Sequence, residues 1–253
     1  MADPGADRVS VIIPALDKAE TLGTLIATLS REPDLEEIIL ADGGSGDGTP
    51  ALAARLGARV VASERGRGLQ LRTGAAVARG DALLFLHADS IFPEGGLRAI
   101  VDTLRRDPRI VGGNFRLIFD GSSRFARGLT RFYALIRLVK LYYGDSGIFV
   151  RRAVYERIGG IKPMPLMEDY EFVRRLERAG PTHRIKEPAL TTSSRKFAHR
   201  RATAIVTGWI VIHLLYWLGV SPARLARFYY PAGWRRQLGY RSAADPRARS
   251  DET

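Results

Sequence analysis

Residues Ala82 to Leu86 form an unbroken apolar run that stops at His87-Ala88-Asp89. Five residues are too few for a stable helix. Apolar character at every position, rather than at alternate ones, marks a strand covered on both faces. Such strands belong to parallel sheets with helices on either side, so this stretch points to an α/β chain. It also marks where a ligand belongs. Open α/β sheets bind at the carboxyl ends of their strands. A carboxylate there, Asp89, can hold a hard divalent cation whose other ligands are phosphate oxygens. The alternative role for Asp89 is to cap the segment that follows.

The residues before this run repeat the pattern. Val9 to Ile13 is a β-branched run ending at Pro14, a first strand. Leu16, Ala19, Leu22, Leu25, Ile26 and Leu29 recur with helical spacing, and Asp17 with Glu20 fits a capping box. Glu37 to Ala41 is a second strand. It runs into the loop Asp42 to Thr49, which holds four glycines, Gly43, Gly44, Gly46 and Gly48, so that backbone can approach a ligand closely. Thr49 and Pro50 read as cap and first turn of a helix closing at Gly57. Arg59 to Ala62 is a third strand and Leu69 to Arg79 a helix. The order βαβαβαβ with short connections predicts a doubly wound, mostly parallel sheet.

Further on, Pro93 to Arg105 reads as a helix, Val111 to Phe119 as a strand, and Arg124 to Tyr143 as a helix or helix pair. Ile148 to Val150 is a short strand and Ala153 to Ile158 a short helix. Another helix opens at Leu166-Met167-Glu168-Asp169 and runs to about Ala179. Glu168 and Asp169 would suit the dipole of its first turn. Ala202 to Val220 is strongly apolar, and Ser221-Pro222 starts a last helix.

Composition removes several functions. There is no cysteine, which excludes disulfides and thiolate metal sites. The Asp42 to Thr49 loop fits neither the dinucleotide fingerprint nor the Walker loop, which disfavours a nicotinamide or ATP site. Met1 to Arg8 is polar, and no signal peptide is expected. Lys and Arg number 39 against 27 Asp and Glu, a net charge of +12, which suits nucleic acid, anionic lipid or a phosphorylated substrate.

Several pieces occur in a telling order: Ser10-Val11-Ile12-Ile13-Pro14-Ala15-Leu16, the Asp42 to Thr49 loop, Arg65-Gly66-Arg67-Gly68, and Leu84-Phe85-Leu86-His87-Ala88-Asp89-Ser90. Gly144-Asp145, Ile148 to Arg152, Pro165 to Asp169 and Tyr216 to Pro222 complete the set. From about Val9 to Tyr230 the chain resembles the inverting, nucleotide-sugar-dependent glycosyltransferases of family 2, with a GT-A fold. Within them it is most similar to small bacterial glycosyltransferases associated with arsenosugar biosynthesis. The resemblance implies one GT-A domain over 1–230, with a nucleotide-binding half (1–110), an acceptor and catalytic half (111–200) and C-terminal helices (201–230), then a polar tail (231–253).

The resemblance also implies roles. Pro14, Ala15 and Asp17 line the nucleotide pocket, Asp42 and Gly43 meet the base, commonly uracil, and Arg65 and Arg67 lie against base or diphosphate. His87-Ala88-Asp89 stands at the family's Asp-x-Asp position, with Asp89 as the Mn²⁺ or Mg²⁺ ligand. Gly144 and Asp145 face the acceptor. Asp169, paired with Glu168, is the general base. Two positions depart from the family pattern: Lys18 follows Asp17 where an acid is usual, and Ser146 follows Asp145 where Gln is usual.

Inverting transfer needs a base to take the proton of the attacking hydroxyl. A partly desolvated carboxylate near a diphosphate is expected to have a raised pKa. Among His183, His199 and His213, His199 is the candidate for a further metal ligand, the alternative being a surface histidine beside positive charge. Arg195 and Lys196 are candidates to clamp the diphosphate, or else form a solvated basic face. Tyr142, Tyr143, Trp209 and Trp217 are expected to pack.

Competing readings are a nucleotidyltransferase, which would need a Gly-rich basic loop after the first strand, and a basic nucleic-acid-binding module, which would interleave aromatics with its cations. Neither pattern is present, and no nucleic-acid partner is expected. Ala202 to Val220 is close to the ~20 residues of a membrane span. Yet Ile205, Trp209, Ile212, Tyr216 and Val220 share one helical face. The expectation is a cytoplasmic enzyme, with this helix either packed on its own domain or resting on an anionic membrane surface.

Overall fold

In the computed structural model, which describes residues 8–120, 124–192 and 202–230, four strands lie side by side with every pairing parallel. They are β1 (Val9–Ala15), β2 (Leu35–Asp42), β3 (Arg59–Ala62) and β4 (Ala82–Phe85), in the order β3-β2-β1-β4. The chain starts at β1, winds outward to β3 and then returns to the other side of β1. The crevice where this order reverses, between the ends of β1 and β4, is where such sheets take ligands.

β4 is buried at all four positions, as its unbroken apolar run predicts. Ala82 and Leu84 join the core on one face, Leu83 and Phe85 that on the other. β1 alternates in the same way, with Val9, Val11 and Ile13 on the first face and Ile12 on the second. α1 (Ala19–Leu29) and α4 (Gly96–Arg106) cover the first face, inserting Leu22, Leu25, Ile26 and Leu29 and Leu97, Ile100, Val101 and Leu104. α3 (Arg67–Ala76) covers the second with Leu71 and Ala75, next to Phe172, Val173 and Leu176 of α7 (Glu168–Ala179). The remaining helices are α2 (Thr49–Arg55), α5 (Arg124–Ile136), α6 (Arg152–Arg157), α8 (Ala202–Trp217) and α9 (Pro222–Tyr229).

Beyond β4 the sheet becomes mixed. β4 pairs antiparallel with β7 (Ile148–Arg151), and β7 antiparallel with β6 (Gly112–Phe119). β6 runs parallel to β8 (Thr182–Thr192), on whose end sits the short antiparallel β5 (Ser90–Ile91). The doubly wound reading thus holds for the first half, and four of the seven described pairings are parallel. Neither β5 nor β8 is legible in the sequence. β8 carries Lys186, Glu187 and Pro188 in its middle, and partner strands rather than its own apolar pattern fix it. β6 is squeezed from both sides: a Cβ on Gly113 would lie 1.8 Å from the His183 carbonyl oxygen, so glycine is required there.

Local details depart from expectation. Asp17 and Glu20 form no capping box: Lys18 is the N-cap of α1 and makes no side-chain cap bond. Asp17 has φ +51° and accepts instead from the Gly46 N–H at 2.8 Å. The Gly-rich loop supplies the missing acceptors, Asp47 for the Ala19 N–H and Thr49 for the Lys18 N–H. Thr49 is likewise not the cap of α2, because Gly48, with φ +83°, precedes the first turn. Strand β1 continues through Pro14, which lies past the last residue paired with β4, where no ladder donor is needed.

Trp209, Ile212, Tyr216 and Val220 turn toward the domain, as the spacing predicts, and Ile212 is buried among Met167, Tyr170 and Leu225. Ile205 lies outside the residues whose side chains are described. Among the described residues no helix is long and apolar enough to cross a membrane.

Candidate active site

The carboxyl ends of β1 and β2 carry a rim built from the Gly-rich loop. The Gly43 N–H donates to the Ala15 carbonyl at 2.9 Å. The Asp42 carboxylate accepts from the N–H groups of Gly44 and Ser45 at 3.0 and 3.1 Å, and from Ser45 Oγ at 2.5 Å. Arg65 reaches back to the carbonyls of Gly43 and Gly44 at 3.1 and 3.2 Å. Pro14, Ala15, Asp17, Asp42, Gly43 and Arg65 therefore stand together, as expected. The side chains of Ala15 and Ala88 are buried in the core.

A second cluster lies across the crevice. Arg67, the first residue of α3, directs its guanidinium at three groups. Nε contacts Glu168, one terminal nitrogen lies 2.8 Å from Asp169 Oδ2, and the other lies 3.2 Å from His87 Nε2. His87 comes from the turn after β4, and the two acids from the start of α7. Gly144 completes the group: its N–H donates to Asp169 Oδ2 at 3.0 Å. A Cβ there would sit 3.3 Å from His87 Nε2, tighter than most side chains allow. Asp169 Oδ1 accepts from the Tyr170 N–H at 2.8 Å. Met167, at φ +68°, turns the chain into α7 just before the two acids, and a bulky residue in that region stores backbone strain. Arg67, His87, Gly144 and Asp169 line one cavity floored by Phe85 and Leu86.

The two acids differ. Asp169 borders the cavity, whereas Glu168, at 2 % exposure, is closed over by Arg67. Burial pushes the Glu168 carboxyl up, and the Arg67 charge only partly offsets it. Burial also raises Asp169, but Arg67 and the N–H groups of Gly144 and Tyr170 outweigh it and hold Asp169 below the ordinary aspartate range. This corrects the expectation of a raised pKa for the base: a guanidinium sits where only desolvation was foreseen.

Asp145 accepts from the Tyr133 hydroxyl at 2.9 Å and is not among the residues lining that cavity. His213 is engaged through both ring nitrogens, with Trp209 O at 2.7 Å and the Tyr143 hydroxyl at 3.0 Å, so it is not poised to ligate a metal. Trp217 is not a core residue: it is 60 % exposed, and its Nε1 donates to the Tyr170 hydroxyl. Arg195, Lys196 and His199 lie outside the described residues.

The sequence profile of Glycosyl transferase family 2 matches residues 10–159, more than half of the chain. The chain belongs to glycosyltransferase family 2. The matched stretch contains both rims of the crevice except for the acids of α7. Among curated relatives of this family 2 chain, the glucosyl-3-phosphoglycerate synthase of Mycolicibacterium paratuberculosis is 38% identical over 96 residues. That match covers 34% of this chain and 29% of the relative. An uncharacterised glycosyltransferase of Mycobacterium tuberculosis is 31% identical over 111 residues, 44% of this chain and 50% of the relative. The chain thus spans less than a third of the first synthase matched. The characterised relative is a glucosyl-3-phosphoglycerate synthase and not an arsenosugar enzyme, which corrects the finer resemblance.

In structure, the family 2 chain resembles the M. tuberculosis glucosyl-3-phosphoglycerate synthase solved with Mn²⁺, UDP-glucose and phosphoglyceric acid. The TM-score is 0.60 at 21% identity, over 84% of this chain and 80% of the other. The crystal structure of a further mycobacterial protein gives a TM-score of 0.54 at 24% identity, over 74% and 65%. Both likenesses bear on the fold, which is that of the GT-A structures.

Among the described residues no three acidic or histidine side chains converge as a metal cage. The half-buried Asp89, in the turn between β4 and β5, still suits a cation that takes most of its ligands from a diphosphate and water. One residue escaped the sequence reading altogether. Gln70 is buried, and its Nε2 donates to the carbonyls of Ala15 at 2.7 Å and Ala41 at 2.9 Å, tying the ends of β1 and β2 to α3. A lone Gln within a helical pattern carries no signal of that kind.

Proposed function

We propose that this family 2 chain transfers a sugar from a nucleotide sugar, a UDP-linked one, to an acceptor hydroxyl with inversion at the anomeric carbon. The observation that carries the reading is the convergence of Arg67, His87, Gly144 and Asp169 on one cavity at the end of β4. Asp169 takes the proton of the acceptor hydroxyl as its oxygen attacks the anomeric carbon. The bond from that carbon to the diphosphate breaks, and the nucleoside diphosphate leaves with the electron pair. Arg67 and Arg65 stand to meet the negative charge of the leaving group, with Arg195 and Lys196 as further cations. The Asp42 to Ser45 rim receives the base and Pro14, Ala15 and Asp17 the ribose side. Asp89, with His199, would hold Mn²⁺ or Mg²⁺, which offsets charge on the diphosphate when bound. A cytoplasmic location, where the donor is made, belongs to the same reading. UDP-glucose, the donor named with the solved synthase, is the first to try.

Thermal unfolding with a panel of nucleotides and nucleotide sugars, with and without Mn²⁺, tests this. A ligand at 100 times its Kd adds ~2.7 kcal/mol to stability, or roughly 5 °C or more for a chain of this size. The expected result is such a rise for UDP or a UDP-sugar, larger with Mn²⁺ and absent with ATP. A profile unmoved by any nucleotide would refute the reading.

The Arg67 contact gives a pH prediction. A base works only when deprotonated, so turnover falls as pH drops through the pKa of Asp169. Arg67 holds that pKa down, which keeps the acid limb below the ordinary carboxylate range. In Arg67→Gln burial acts unopposed by that charge, so the limb moves to higher pH. An unmoved acid limb in the pH profile of kcat would separate Arg67 from the base.

A further inference from the structure

Helix α8 is apolar on every side, and among its described side chains the domain covers only one of them. Its residues, Ala202–Trp217, include no Asp, Glu, Lys or Arg. Trp209, Ile212 and Tyr216 face inward. Ile210, Val211, Leu214, Trp217 and Leu218 form a strip on the opposite side, with Trp217 60 % and Leu218 80 % exposed. Phe228 of α9, 79 % exposed, adds a further apolar group, flanked by exposed Arg224 and Arg227. A helix apolar all round is normally covered all round, and a contiguous exposed apolar strip marks an interaction surface.

Charge selects the occupant. A second copy of the chain would bring a net +12 against +12. Residues 231–253 hold only Trp234, Leu238 and Tyr240 as large apolar side chains, beside five arginines, too little to cover the strip. An anionic bilayer fits both properties. The sequence places Arg195, Lys196, Arg200 and Arg201 before α8 and Arg224 and Arg227 after it. Sixteen helical residues reach about 24 Å, short of the ~30 Å hydrocarbon core. Over its described residues the helix is therefore suited to lie along a bilayer. Exposed Trp217 is of the type that prefers the headgroup level.

We propose that the outward strip of α8, with Phe228 and the two arginines of α9, docks this protein on an anionic lipid surface. The same helix is bolted to the active site. From its inward side His213 is bonded to Tyr143 at 3.0 Å, and from the edge of the outward strip the Trp217 Nε1 donates to the Tyr170 hydroxyl at 2.7 Å. Tyr170 and Tyr143 adjoin Asp169 and Gly144 in the chain. Docking thus sets the helix that buttresses the base against the lipid surface.

The test is co-sedimentation with vesicles of equal parts phosphatidylglycerol and phosphatidylcholine, and with phosphatidylcholine alone. The full chain is expected to bind the anionic vesicles and to release as salt rises. Arg224→Gln with Arg227→Gln should weaken the partition about twenty-five-fold, at about a factor of five per cation. Leu214→Asn with Leu218→Asn should abolish it, with an unchanged unfolding midpoint and unchanged nucleotide stabilisation, since neither residue lines the crevice. Should that variant misfold, quenching of the wild-type fluorescence by brominated lipid decides, and it should fall in Trp217→Phe. No binding by the wild type overturns the proposal. So does binding unaltered in the Leu variant, or a dimer in solution that the Leu variant dissolves while vesicles are ignored.

Discussion

Asp169→Asn is expected to lower turnover by about 10²- to 10⁴-fold, the range for a lost general base, with donor affinity little changed. The amide keeps the shape of the carboxylate, but with one oxygen it can accept from only one of the Gly144 and Tyr170 N–H groups, which donate to different oxygens of Asp169. It cannot take a proton. Arg67 loses one anionic partner but keeps Glu168, so the site should stay assembled. Donor affinity by calorimetry and turnover under saturating donor separate the two effects. Glu168→Gln serves as the comparison. Glu168 is shut beneath Arg67 and does not border the cavity, so its loss should act through Arg67 and cost less. A normal rate in Asp169→Asn with a collapsed rate in Glu168→Gln would transfer the role of base to Glu168.

The second large effect is expected at Asp89. Asp89→Ala should remove metal-dependent transfer while leaving the fold intact. The neighbours Ala88 and Ser90 carry the local packing, being buried on either side of the half-buried Asp89. The direct reading is the extra thermal stabilisation that Mn²⁺ adds to UDP, which should disappear in the variant while the stabilisation by UDP alone remains. Retention of the Mn²⁺ increment would remove Asp89 from the site.

How much of this was legible in the sequence depends on how local each cause is. The burial of Ala82 to Phe85 follows from an unbroken apolar run, and the structure divides its side chains between two cores as that run requires. The winding of β1 to β4 follows from alternating strand and helix signals. The gathering of Asp17, Asp42 and Gly43 follows from their places after two adjacent parallel strands. By contrast, the contact of Arg67 with Asp169 joins residues 102 positions apart. Each residue could be singled out in the sequence, but their pairing could not, and that pairing reverses the expected pKa of the base. The cap of α1 was misread for the same reason: Asp17 has the right residue type, yet its carboxylate serves a loop 29 positions away. β8 is held by its partners rather than by its pattern. The spacing of Trp209, Ile212, Tyr216 and Val220 gives the covered side of α8, but the exposure of Trp217 on the other side is read only from the structure, because an apolar residue in an apolar helix carries no sign of being left bare.

The central claim, inverting transfer from a UDP-sugar at this crevice, is tested most directly with water as the acceptor. UDP-glucose and Mn²⁺ are added to the full chain, and the anomeric protons are followed by NMR from the first turnovers, before mutarotation mixes the products. UDP-glucose carries an α-linked sugar, so the account predicts that β-glucose appears first and that Asp169→Asn suppresses it. Release of α-glucose first would contradict the account, and so would β-glucose formed at an undiminished rate by Asp169→Asn.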